Sequence, residues 1–113
     1  MSKGSKLLAA PPYAIERALK TLGANIRIAR LRRKLTLEEV AQKVGASRRI
    51  IADVESGKPS TSIGMYLAAL WALGLLEQLT DVAAPTHDKE GLTLALSREN
   101  VKARKSAVLD NDF

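Results

Sequence analysis

The segment from Thr36 to Gly57 limits this chain's fold more than any other, because it encodes two short helices joined by a tight turn. Thr36 and Glu39 have the S/T-x-x-E spacing of a capping box, in which each side chain satisfies a backbone amide of the other residue, so a helix starts there. Val40, Ala41 and Val44 recur at helical spacing and face inward. Gly45 ends the helix, since a residue without Cβ enters the left-handed conformation at little cost. Ser47 caps a second helix whose buried face is Ile51 and Val54. Two helices joined this closely need a small residue where they approach (Ala41), a glycine in the turn, and apolar contacts from Val40, Val44, Ala46, Ile51 and Val54. Each match alone is weak, but the full set at this spacing is specific.

The rest of the chain fits around that pair. Residues 1–12 read as a flexible arm ending in Pro11-Pro12, which can open a helix. From Tyr13 to Arg33, Ile15, Leu19, Leu22, Ile26 and Ala29 recur at helical spacing; Gly23 either splits this stretch or leaves one long helix with a weak point. Gly57-Lys58-Pro59-Ser60 is a turn signal. A fourth helix is expected from Thr61 or Ser62 to Leu73, closed by Gly74, and a short fifth from Leu75 to Leu79. Met65, Leu67, Leu70, Trp71 and Leu73 read as core, with a dimer seam on part of that surface. The expected architecture is all-α: a five-helix domain over residues 13–82, then residues 83–113 as linker, a short helix over Glu90–Arg98, and a disordered tail over 99–113.

Charge divides the chain more sharply than the total of +6 suggests. Residues 1–58 carry thirteen Lys/Arg against five Asp/Glu, whereas residues 59–97 carry one Lys against four acids. A basic N-terminal half favours a polyanion, and the acidic middle favours protein contact. Cysteine is absent, so disulfides and thiolate metal sites are excluded; this fits a reducing cytoplasm. His87, the sole histidine, stands in the linker without a second ligand, so no metal is expected. No nucleophile–base pair, carboxylate dyad or phosphate-cradling glycine loop is present, so neither an enzyme nor a cofactor is expected. The N-terminal apolar run is too short for a signal peptide, and Met65–Leu76 is too short to span a bilayer.

The residues from Leu22 to Leu79, including the segment Val54-Glu55-Ser56-Gly57-Lys58, resemble the phage-repressor-like (Cro/C1, XRE-type) helix-turn-helix family. The resemblance implies a five-helix repressor-like fold that binds double-stranded DNA as a dimer on an inverted repeat. It places Arg48 and Arg49 at base edges, Ala52 and Asp53 at the next groove-facing positions, and Ser47, Ser56 and Lys58 at phosphates. It also implies a structural ion pair between Arg30 and Glu55. Leu37 stands where the family usually carries a Gln that grips the backbone, and bases are sparse after Lys58; Arg27, Arg32, Arg33 and Lys34, or a dimer, offset that loss.

More narrowly, Ser62–Leu76 and Asp88-Lys89-Glu90-Gly91-Leu92 resemble HipB-like antitoxins, which implies autoregulation of an operon and binding of a HipA-type kinase toxin. The alternatives are a stand-alone repressor of a phage or metabolic operon and, from another class, a helix-turn-helix reused as a protein-interaction adaptor. For residues 99–113, with Val108, Leu109 and Phe113 beside an acidic cluster, three roles stand: docking on a toxin, an entry point for a protease, or an unimportant frayed end.

Overall fold

A computed structural model describes residues 5–111, and all of its regular structure is helical. The helices are α1 (Lys6–Ala9), α2 (Tyr13–Arg32), α3 (Leu37–Val44), α4 (Arg48–Glu55), α5 (Ile63–Ala72) and α6 (Lys89–Asn111). Short 3₁₀ helices, Leu76–Asp81 and Pro85–His87, lie between α5 and α6. Two compact units meet in sequence between Glu77 and Gln78, inside the first 3₁₀ helix.

In the first unit α4 packs against α2, α3 and α5, and α3 packs against α5. The core is Ile26 and Ala29 of α2, Val40 and Ala41 of α3, Ile51 and Val54 of α4, and Tyr66, Ala69, Leu70 and Leu73 of α5 and its end. The helix boundaries follow their caps. The Thr36 hydroxyl accepts from the Glu39 amide at 3.0 Å while the Glu39 carboxylate accepts from the Thr36 amide at 3.0 Å, which closes the capping box. Gly45 ends α3 at φ 72°. Ser47 and Ser62 each accept from the amide three residues on, starting α4 and α5.

Gly23 does not break α2; one helix runs from Tyr13 to Arg32. The glycine serves a close approach instead. A Cβ there would lie 2.6 Å from the carbonyl oxygens of Val54 and Glu55 and 2.8 Å from the Gly57 nitrogen. Gly57 reciprocates: at φ +71°, a Cβ on it would lie 2.5 Å from the Leu19 carbonyl oxygen. Two glycines thus let the backbone of α2 rest directly on the C-terminal end of α4.

Arg30 and Glu55 make the second link between these helices. Arg30 Nε donates to Glu55 Oε2 at 2.6 Å and Nη2 to Oε1 at 3.0 Å, while Nη1 donates to the Leu35 carbonyl at 2.8 Å. The two side chains are only 9% and 7% exposed. Hydrogen bonding to Glu55 raises the Arg30 pKa above its already high ordinary value, against the opposing effect of burial. The guanidinium is therefore charged at every accessible pH.

Two expectations are corrected. Trp71 is not core: it is 55% exposed, because α5 turns Tyr66, Ala69, Leu70 and Leu73 inward at helical spacing and carries Trp71 off that face. The tail is not disordered as far as Asn111: α6 continues through residues 99–111, where Gly and Pro are absent and Lys, Arg, Ala and Glu supply helix propensity. Poor burial had argued for disorder, but local propensity does not depend on burial; residues 112–113 of that expectation lie outside the described residues. In the arm, Lys6–Ala9 form a helical turn capped by Ser5, whose hydroxyl accepts from the Leu7 amide at 3.1 Å. Residues 1–4 lie outside the described residues.

Two substitutions probe this frame. Intrinsic propensity favours Ala over Gly within a helix by about 1 kcal/mol. Gly23→Ala will nonetheless destabilise the fold, by about 1–3 kcal/mol, since backbone atoms of α4 cannot step aside. A melting temperature equal to or above that of the parent would exclude the close approach. Glu55→Gln strands a buried guanidinium and will cost about 3–5 kcal/mol. That corresponds to a drop on the order of 10 °C or more for a domain this small, and an unchanged melting temperature would contradict it.

Candidate nucleic-acid interface

With Ile51 and Val54 in the core, the opposite side of α4 faces outward. Arg48 and Arg49 occupy its first two positions, and both are exposed. Ala52 and Asp53 are half-buried on the next turn, and Ser56 is exposed at the C-terminal cap. The expected groove-facing set therefore falls along one helix, with Ser47 just before it and Lys58 just after.

Electrostatics sets the N-terminal end of α4 apart. A helix N-terminus carries partial positive charge and favours acidic side chains nearby. Helix α3 conforms, with Glu38 and Glu39 in its first turn. Helix α4 has no acid in its first turn and places two arginines there. Dipole and guanidinium charges add, producing a cationic site in which neither arginine has an ion-pair partner among the described residues. Such an arrangement can accept an anion through backbone amides and two bidentate donors together. Arg48 also borders a shallow cleft lined by Leu31, Lys34, Thr36, Leu37 and Glu38, which extends this surface to the start of α3. Arg27, Arg32, Arg33 and Lys34 are exposed on or just beyond α2, although Arg33 uses Nη1 to hold the Ala29 carbonyl at 2.9 Å.

The remaining candidates have partners of their own. The Ser47 hydroxyl accepts from the Ile50 amide at 3.2 Å, which leaves its proton free to donate. The Ser56 hydroxyl donates to the Asp53 carbonyl at 2.9 Å, so its proton is engaged. Lys58 Nζ stands 3.8 Å from Asp53 Oδ2, a loose pair that leaves the ammonium half-exposed. Tyr66 donates its hydroxyl to the Lys58 carbonyl at 3.0 Å, fixing the turn after α4. Burial, and secondarily the charge of Asp53, push the Tyr66 pKa up, so the phenol stays a donor.

Two features escaped the sequence reading. Lys34 adopts φ 57° in the α2–α3 turn, a conformation usually signalled by Gly or Asn, so a lysine offers no cue. Lys43 Nζ donates to the Ala72 carbonyl at 3.1 Å, capping α5 from α3; a lysine at a solvated position gives no hint of a long-range bond. Among the described residues no group of three or more His, Asp or Glu is placed to hold a metal ion, and no helix is long and apolar enough to cross a membrane.

Comparison with known proteins agrees with this geometry. A family model described as a helix-turn-helix domain matches residues 21–83, which span α3 and α4, most of α2 and all of α5. The uncharacterized HTH-type transcriptional regulator y4mF of Sinorhizobium fredii is 39% identical over 64 residues, covering 57% of this chain and 80% of that protein. No solved structure matches the chain with significance. With more than half its length matched and the two-helix unit in place, the chain belongs to the helix-turn-helix domain family.

Proposed function

We propose that this protein is a transcriptional regulator that binds duplex DNA sequence-specifically as a homodimer and represses transcription. The observation that carries this reading is the exposed pair Arg48 and Arg49 at the N-terminus of α4, unaccompanied by any acid in that turn. Arg48 and Arg49 read base edges, where an arginine bonds guanine O6 and N7 bidentately. Ala52 touches a thymine methyl and Asp53 accepts from cytosine N4. Ser47, Ser56 and Lys58 contact phosphates, Ser56 after releasing the Asp53 carbonyl. In the finer reading the protein is the antitoxin of a toxin–antitoxin pair, autoregulating its operon and binding a HipA-type kinase toxin. Support for that subtype is the resemblance of Ser62–Leu76 and Asp88–Leu92 to HipB-like antitoxins. A kinase-like protein that co-purifies from the native operon would favour it over a stand-alone repressor, which is the outcome expected if none does.

Replacing Arg48 or Arg49 by Ala will weaken binding to the operator by about 1–3 kcal/mol, roughly 5- to 150-fold, and binding to random duplex far less. Equal losses on both DNAs would confine these residues to phosphate contact. The dimer draws support from an apolar stripe on α5, where Ile63 (67% exposed) and Trp71 flank half-buried Leu67. Because Trp71 is the sole tryptophan, its emission will shift to the blue as protein concentration rises or operator is added. Leu67→Glu will abolish that shift and leave half-site binding only. An emission maximum constant at all concentrations, with a monomer saturating the operator, would rule the dimer out.

A further inference from the structure

The second unit is close to neutral as a whole, with five Lys/Arg and six Asp/Glu from residue 78 onward, but its bases are not spread evenly. Arg98, Lys102, Arg104 and Lys105 fall within eight residues of α6, accompanied by one acid, Glu99. At 100° per residue, positions 98, 102 and 105 share one face over a rise of about 10 Å. All three side chains are exposed, and none forms an ion pair or side-chain hydrogen bond among the described residues. Like charges spaced i, i+4 and i+7 repel, so the helix holds this stripe at a cost that a polyanion would remove.

The class of polyanion follows from what else α6 carries. It has no aromatic residue, so it lacks the stacking platform that single strands require. A row of cations along one helix face complements the dense, fixed negative charge of a duplex phosphate backbone. We propose that the Arg98, Lys102 and Lys105 stripe of α6 is a second, sequence-independent contact to the phosphate backbone of duplex DNA, separate from the face of α4. This inference rests on the DNA-binding reading above and adds a site to it.

The test uses the full chain with Arg98, Lys102 and Lys105 replaced together by Gln, a comparable helix former. Affinity for a random duplex and for the operator is measured across a salt series. Each phosphate contact removed flattens the plot of log affinity against log salt by about 0.9, so the triple variant will be shallower by about 2–3 on both DNAs. The operator-to-random ratio will stay constant, the circular dichroism will be that of the parent, and Arg98→Lys will keep the parent slope. A parent that binds DNA with a slope the triple variant leaves unchanged overturns this inference alone, even if the stripe then proves to bind polyglutamate. A loss confined to the operator overturns it as well, by showing base readout. A parent that binds neither duplex removes the DNA-binding reading and this inference with it.

Discussion

The guanidinium of Arg30 holds three parts of the first unit in register. It bridges α2 to the last residue of α4 through Glu55 and ties the α2–α3 turn through the Leu35 carbonyl. A buried ion pair is weak evidence of net stability, because desolvating two charges offsets most of their attraction. Its stronger effect is on orientation. Turning α4 by one residue would swing Glu55 away by 100° and strand the arginine. The same turn would lift Ile51 and Val54 out of the core. One rotation of α4 satisfies both demands, and it is the rotation that exposes Arg49 and Ser56.

The other restraints on α4 also act on its C-terminal end. Gly23 and Gly57 bring backbone against backbone there, and Tyr66 holds the Lys58 carbonyl just beyond. The N-terminal end has its own Ser47 cap and no acid to balance Arg48 and Arg49. The helix is thus packed along its inward face, most tightly at its C-terminal end, while its outward N-terminal charges have no ion-pair partner among the described residues. That division is the one the DNA-binding reading proposed above would require of α4: a fixed helix with uncompensated charge at its outward end.

Much of this was legible in the sequence because it is local. The capping box at Thr36 and Glu39, the left-handed Gly45 and the Ser47 cap are each set by a few neighbouring residues, and α3 and α4 start and stop accordingly. The inward face of α4 was also legible, since Ile51 and Val54 keep helical spacing. Gly23 was ambiguous because a glycine that weakens a helix and one that admits a neighbouring backbone look alike without the neighbour. Lys43 and Lys34 were opaque for the same reason: one bonds a carbonyl 29 residues away and the other takes a conformation its side chain does not advertise. The length of α6 was missed because composition was weighed as burial, when helix propensity decided it.

Helix α5 marks the limit of pattern reading most clearly. No charged residue interrupts the chain from Pro59 to Leu76, so apolar residues occupy every side of this helix and periodicity cannot say which side is buried. Such a helix is either enclosed completely or leaves an apolar face uncovered within its own domain. The packing of α3 and α4 against it decides between these, because two helices cover one side and a bit more, never the full circumference. Tyr66, Ala69, Leu70 and Leu73 take the covered side, and Ile63 and Trp71 are left to solvent. Polar residues on that stripe would have cost the core nothing. Their absence is therefore a property of the surface rather than of the fold, and this uncharged stripe is the one that the proposed homodimer would use.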